Sequence, residues 1–295
     1  MTVVGRAALR QERFRSEGRT ARARLKHKEA DAEGAGERIN NYRRGFFLMR
    51  TPVLGFAALA LAAIATPALA DEAPPSDFTV TGGATLVSDY RFRGISQTDK
   101  RFAVQGTFTV AHSSGLYATV WGSSIDDYVA AGSDQEIDLI VGYAHTFESG
   151  LTLDGGMLYY YYPGSGGGNS DFFEPYISVK QTFGPVTGKL SAAYAWEQSA
   201  LTIGSGKEDN LYLAADLSAA IPETPLSLSA HVGYSDGPSY LTIGDDYLDW
   251  NVGVSYTWNH LTFGVSYVDT DGTFITPSGR NASKAGVVFS LGAAF

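Results

Sequence analysis

From about residue 78 to the last residue, apolar and polar positions alternate with a period of two, and no amphipathic helix period runs through this part. Leu248, Trp250, Val252, Val254, Tyr256 and Trp258 occupy every second position, with Asp249, Asn251, Gly253, Ser255 and Thr257 between them. Phe102, Val104, Phe108 and Val110, then Ile137, Leu139, Val141 and Tyr143, then Leu261, Phe263, Val265 and Tyr267 repeat the pattern. Strand side chains point alternately to two faces, so each run predicts a strand with one apolar face. Twelve runs are expected, near 78–90, 101–112, 115–124, 135–147, 151–162, 172–183, 186–197, 210–221, 226–235, 247–258, 261–270 and 284–295. Most have the roughly nine to eleven residues with which a tilted strand crosses a bilayer.

The connections alternate as well. Short turns (113–115, 148–150, 184–185, 222–225 and 259–260) take turns with longer polar loops such as 163–170 and 235–246. Outer-membrane barrels have short periplasmic turns and long external loops. A soluble sandwich also alternates, but its outer face carries many charges. Here the less apolar face is largely Gly, Ala, Ser and Thr with scattered acids, so the apolar face is expected to meet lipid. Tyr159 to Tyr162, Phe172, Phe173, Trp196, Tyr256 and Trp258 lie near run ends, where interfacial girdles belong. Phe289 and Leu291 share a register with the terminal Phe295, the form of a C-terminal signal for the barrel-insertion machinery. The expected fold is all-β: a transmembrane antiparallel up-and-down barrel of about twelve strands over 71–295, located in the bacterial outer membrane.

Composition adds an N-terminal story. Residues 1–48 hold twelve of the chain's Lys and Arg residues, and from Met49 to Ala70 only Arg50 is charged. After Ala70, nine bases face twenty-five acids, a net charge of −16. So acidic a body repels nucleic acid. Arg50, the apolar stretch from Val53 to Ile64 and Ala68-Leu69-Ala70 have the form of a signal peptide over 49–70, cleaved after Ala70. A retained signal anchor is the weaker alternative, shortened by Pro67. The basic stretch 1–48 fits a start-site misassignment with translation from Met49, or else a disordered extension. With no cysteine in the chain, disulfides, zinc–thiolate sites and thiol nucleophiles are excluded.

The segment Ser88-Asp-Tyr-Arg-Phe-Arg-Gly-Ile-Ser-Gln-Thr-Asp-Lys-Arg101, then Gln105, Ser114-Gly115-Leu116-Tyr117-Ala118-Thr119-Val120-Trp121-Gly122-Ser123, Glu136-Ile-Asp-Leu139 and Gly142-Tyr143 resembles the TorF-type family of outer-membrane porins. The likeness continues through Tyr159-Tyr160 to Phe173-Glu174 and Tyr176. From about Val186 onward only the general barrel pattern is shared. The resemblance implies an outer-membrane protein of porin type; it carries no substrate and no catalytic residues.

If the apolar faces meet lipid, Glu136, Asp138, Asp154, Glu174, Glu197, Asp216 and Asp249 line the lumen, together with Lys180 and Lys189. An acidic wall gathers cations, so a porin passing small hydrophilic solutes with cation preference is expected. Alternatively, these acids pair with the lysines and fill a narrow, closed structural or binding barrel; twelve strands leave both open. Arg91, Arg93, Lys100 and Arg101 follow the first run. They make either a basic rim opposite the acids or a folded loop held by Asp89 and Asp99, or they meet lipopolysaccharide phosphates. A lipid enzyme is disfavoured: His231 and Asp216 can approach each other, but no G-x-S-x-G or comparable motif sets a nucleophile. Neither a cofactor nor a metal site is expected; Asp126, Asp127 and Asp134 read as solvated loop acids.

Overall fold

The structure is a computed structural model that describes residues 76–166, 169–204, 206–242 and 246–295. The extension at 1–48, the signal peptide with Ala68 and Ala70, and parts of the loops 163–170 and 235–246 lie outside the described residues.

Twelve long strands form a closed antiparallel barrel: β1 (Phe78–Val87), β4 (Ala103–His112), β5 (Leu116–Ser124), β6 (Gln135–Thr146), β7 (Thr152–Tyr161), β8 (Phe172–Phe183), β9 (Val186–Gln198), β10 (Glu208–Ala220), β11 (Leu226–Asp236), β12 (Tyr247–Trp258), β13 (Leu261–Thr270) and β14 (Gly286–Ala294). Two short strands, β2 (Arg91–Phe92) and β3 (Ile95–Ser96), form a separate hairpin inside the first long loop. Every barrel strand pairs with its neighbours in sequence, and β1 closes the ring on β14 from Gly83↔Ala294 to Val87↔Ser290. Phe295 completes the seam: its N–H donates to Gly82 O and its carbonyl accepts from Gly82 N–H, each at 2.9 Å.

The outside of the barrel is apolar. Val104 (64% exposed), Ile177 (61%) and Leu190 (60%) stand among a continuous belt of bare hydrophobic side chains, while Glu136, Asp138, Glu174 and Asp249 are buried within. Water would not tolerate so wide an apolar surface, and a closed barrel leaves no unpaired strand edge for lipid to meet. The chain is thus a membrane-embedded β-barrel whose lipid face is the apolar set of each alternating run. Val287, Phe289 and Leu291 belong to that face.

Three details differ from the sequence expectation. The first run stops at Val87 instead of continuing to 90, because the chain leaves the wall and turns inward there. The four-tyrosine run is split by the strand's period: Tyr159 and Tyr161 face outward, with rings 6.4 Å apart, whereas Tyr160 and Tyr162 are buried inside. Phe172 is likewise buried, while Phe173 lies outside and stacks on Trp196 at 6.0 Å.

Candidate functional site

The first long loop, 88–102, folds into the barrel and joins the walls around it. Asp89 anchors its base: the carboxylate accepts from Arg91 Nε at 2.6 Å, from Thr98 Oγ1 at 3.3 Å and from Ser96 Oγ. Arg91 Nη1 then donates to the carbonyls of Gly94 and Ala282, each at 2.9 Å. Arg93 crosses to the far wall. Its guanidinium donates to both Glu174 oxygens at 2.7 and 2.8 Å and to Asn210 Oδ1 at 2.6 Å. It also lies over the Tyr212 ring, 4.1 Å from the centroid. Burial opposes the Arg93 charge, but the Glu174 carboxylate outweighs it and holds the guanidinium above its ordinary value. An arginine that serves Glu174 and Asn210 from two nitrogens while stacking on a ring is not replaceable by lysine.

Backbone shape sets the tip of the hairpin. Arg93 and Gly94 have φ of 47° and 79°. A Cβ on Gly94 would stand 2.9 Å from both Asp249 Cβ and Thr270 Cγ2, so only glycine lets the tip touch the wall. Tyr90, at the start of the loop, donates to Glu136 Oε1 at 2.8 Å. Around it Val87, Ala103, Ile125, Tyr160, Tyr162 and Phe172 form a hydrophobic cluster within the barrel mouth.

The loop separates two cavities. One, of about 620 Å³, lies within the barrel against Arg91, Arg93, Gln105, Tyr212, His231, Asp249 and Asn251. The other, of about 440 Å³, lies among the long loops, and Phe92 lines both. On the inner wall the register sets complementary groups side by side: Lys189 pairs across strands with Asp216, and Asp216 with His231. Lys189 Nζ lies 3.3 Å from Asp216, and the His231 ring nitrogens lie 2.7 Å from Asp216 and 3.2 Å from Asp249. Tyr212 donates to Asp249 at 3.0 Å.

The acids predicted from sequence fall into separate groups. Glu136, Asp138 and Glu174 lie buried beside the loop, and only Glu174 has an ion-pair partner among the described residues. Asp216 and Asp249 flank His231, with Lys180 and Lys189 on the same cavity wall as Asp216. Asp154 accepts from Tyr117 at 2.8 Å in another sector of the wall. Glu197 is exposed at the end of β9, beside the irregular pairing of Glu208 and Asn210, and is not drawn into either group. In the first loop, Arg91 takes Asp89 as expected of a folded loop, but Asp99 is held by Arg280, and Arg101 pairs with Asp126. Lys100 Nζ reaches the Lys284 carbonyl at 3.4 Å. The hydrogen-bond partners of His231 among the described residues are Asp216, Asp249 and Tyr212, none of them a serine. Sequence reasoning missed Tyr90, Tyr117, Tyr160, Asn210 and Tyr212; inward parity marks all but Tyr90, which the loop itself carries.

The fold and its polar interior define a class, that of membrane-embedded antiparallel barrels enclosing a lumen. A family of bacterial proteins of unknown function (Gcw_chp) matches residues 71–295, and the chain belongs to it. No curated protein matches the sequence. Among solved structures, the NanC porin superposes with a TM-score of 0.51 at 13% identity, covering 74% of this chain and 99% of that one. The outer membrane channel DcaP of Acinetobacter baumannii gives 0.41 at 9% identity, covering 74% and 97%. An outer membrane channel from Pseudomonas putida F1 gives 0.47 at 12%, covering 75% and 96%.

Proposed function

We propose that this chain is an outer-membrane porin that passes small hydrophilic solutes by passive diffusion, with loop 88–102 as its constriction. The observation that carries the reading is the charged cavity of about 620 Å³ enclosed by the barrel wall and bounded by that loop. The likeness of residues 88–176 to TorF-type porins supports it, as do the short and long connections at opposite ends of the strands. Lipid and lipopolysaccharide are then its surroundings, and the protein is no enzyme. Cation preference rests on inner-wall acids that have no ion-pair partner among the described residues, Asp138 and Asp154.

Proteoliposomes test this directly. The protein should release potassium faster than chloride, and Asp138→Asn with Asp154→Asn should bring the two rates together. Equal rates in the unaltered protein would remove the cation preference but keep the pore. The hydrophobic cluster around the loop favours a second reading, a closed binding barrel. That reading predicts release of neither ion.

A further inference from the structure

The cavity of about 440 Å³ among the long loops has a composition unlike that of the lumen below it. Its walls include Phe92, Tyr128, Tyr162, Phe172, Tyr240 and Phe274. Among the described residues its only charged lining residue is Glu136, and no Lys, Arg or His is part of the lining. Glu136 is 3% exposed, and its Oε1 accepts from Tyr90 at 2.8 Å. Asp138 follows two positions along the same inner face, also buried, and its Oδ1 has no hydrogen-bond partner among the described residues. Neither carboxylate enters an ion pair among the described residues, since Arg93 is committed to Glu174.

An ionised carboxylate buried without a counter-charge is costly, and a cation placed beside it offsets that cost. The faces of aromatic rings attract cations, most strongly where water is excluded. A carboxylate offers about four acceptor sites, so Glu136 retains capacity beyond its bonds from Tyr90 and Tyr162. A hard inorganic cation is usually held by several carboxylates, and no cluster of three or more His, Asp or Glu that could hold one forms among the described residues. A neutral sugar would leave the charge unbalanced, and an anion would add to it. An apolar body carrying an amine satisfies walls and floor together.

We infer that the long-loop cavity is a binding site for a small organic ammonium ion, held by the Glu136 carboxylate and the aromatic rings above it. The site is independent of whether the lumen conducts. A silent bilayer would leave it standing, and a conducting one would not establish it.

The test is calorimetric titration of the full-chain protein, purified in detergent, with phenethylammonium, the uncharged phenethyl alcohol and the anion phenylacetate. Phenethylammonium should bind about tenfold tighter than the alcohol, a difference within the range of a desolvated cation–π and charge contact. Phenylacetate should not bind. Glu136→Gln should abolish the preference, whereas Glu148→Gln, which removes the same charge at a short turn, should keep it. Tyr240→Ala, an exposed wall position, should weaken ammonium binding several-fold even if Glu136→Gln fails to fold. Equal affinities for amine and alcohol, an equal effect of Glu148→Gln, or no binding of the amine would each overturn the assignment.

Discussion

Arg93→Ala should release loop 88–102 from the far wall and raise single-channel conductance several-fold. Arg93 and Glu174 have side chains only 6% and 4% exposed, so deleting the arginine strands a buried carboxylate as well as the Asn210 carbonyl oxygen. Breaking a buried pair from one side costs about 3–5 kcal/mol, far more than the pair's net contribution to folding. The barrel wall has its own ladders, so the loss should fall on the loop. Amide exchange in 88–102 should accelerate while exchange in the strands stays slow. Arg93→Lys should recover little of the effect, because an ammonium can neither serve Glu174 and Asn210 from two separate nitrogens nor stack on Tyr212 in the same way. Gly94→Val reaches the same end from the other side of the hairpin, through its φ of 79° and the contacts at 2.9 Å. Unchanged conductance in both variants would mean that the loop is not the barrier.

The second large effect concerns which face meets lipid. Val265 and Ser266 are neighbours in β13; the first is 41% exposed on the apolar belt, and the second lines the inner cavity. Val265→Arg places a charge in the hydrocarbon and should cost about 2–4 kcal/mol near the midplane, enough to cut the yield of inserted protein sharply. Ser266→Arg points into a cavity of about 620 Å³ and should insert normally. Heat-modifiable mobility on gels reads both outcomes. A reversed ranking would put the barrel inside out.

The strands were legible because alternation is a local signal. Each of the twelve runs became a barrel strand, with ends shifted by only a few residues, since short turns and long loops punctuate them plainly. The inner placement of Asp216 beside His231 was also readable, as the tight connection 222–225 fixes the β10–β11 register. The docking of the loop on the far wall was not readable. Its partners Glu174, Asn210 and Ala282 lie 81, 117 and 191 residues away, and no local pattern announces such contacts. Extending the parity of β1 put Arg91 and Arg93 inside, yet what carries them there is an inward bend and a hairpin. Tyr160 and Tyr162 were hidden in a run of four tyrosines, where residue type does not alternate although direction does. Glu197 had the parity of Ala195 but lies past the point where β9–β10 pairing becomes irregular, so alternation no longer fixes its direction.

Planar-bilayer recording of the purified protein under a potassium chloride gradient decides whether the barrel conducts. Discrete conductance steps are expected, with a reversal potential displaced toward that of potassium and larger steps for Arg93→Ala. A membrane that stays silent for both proteins after verified insertion would contradict the porin reading and leave a closed barrel.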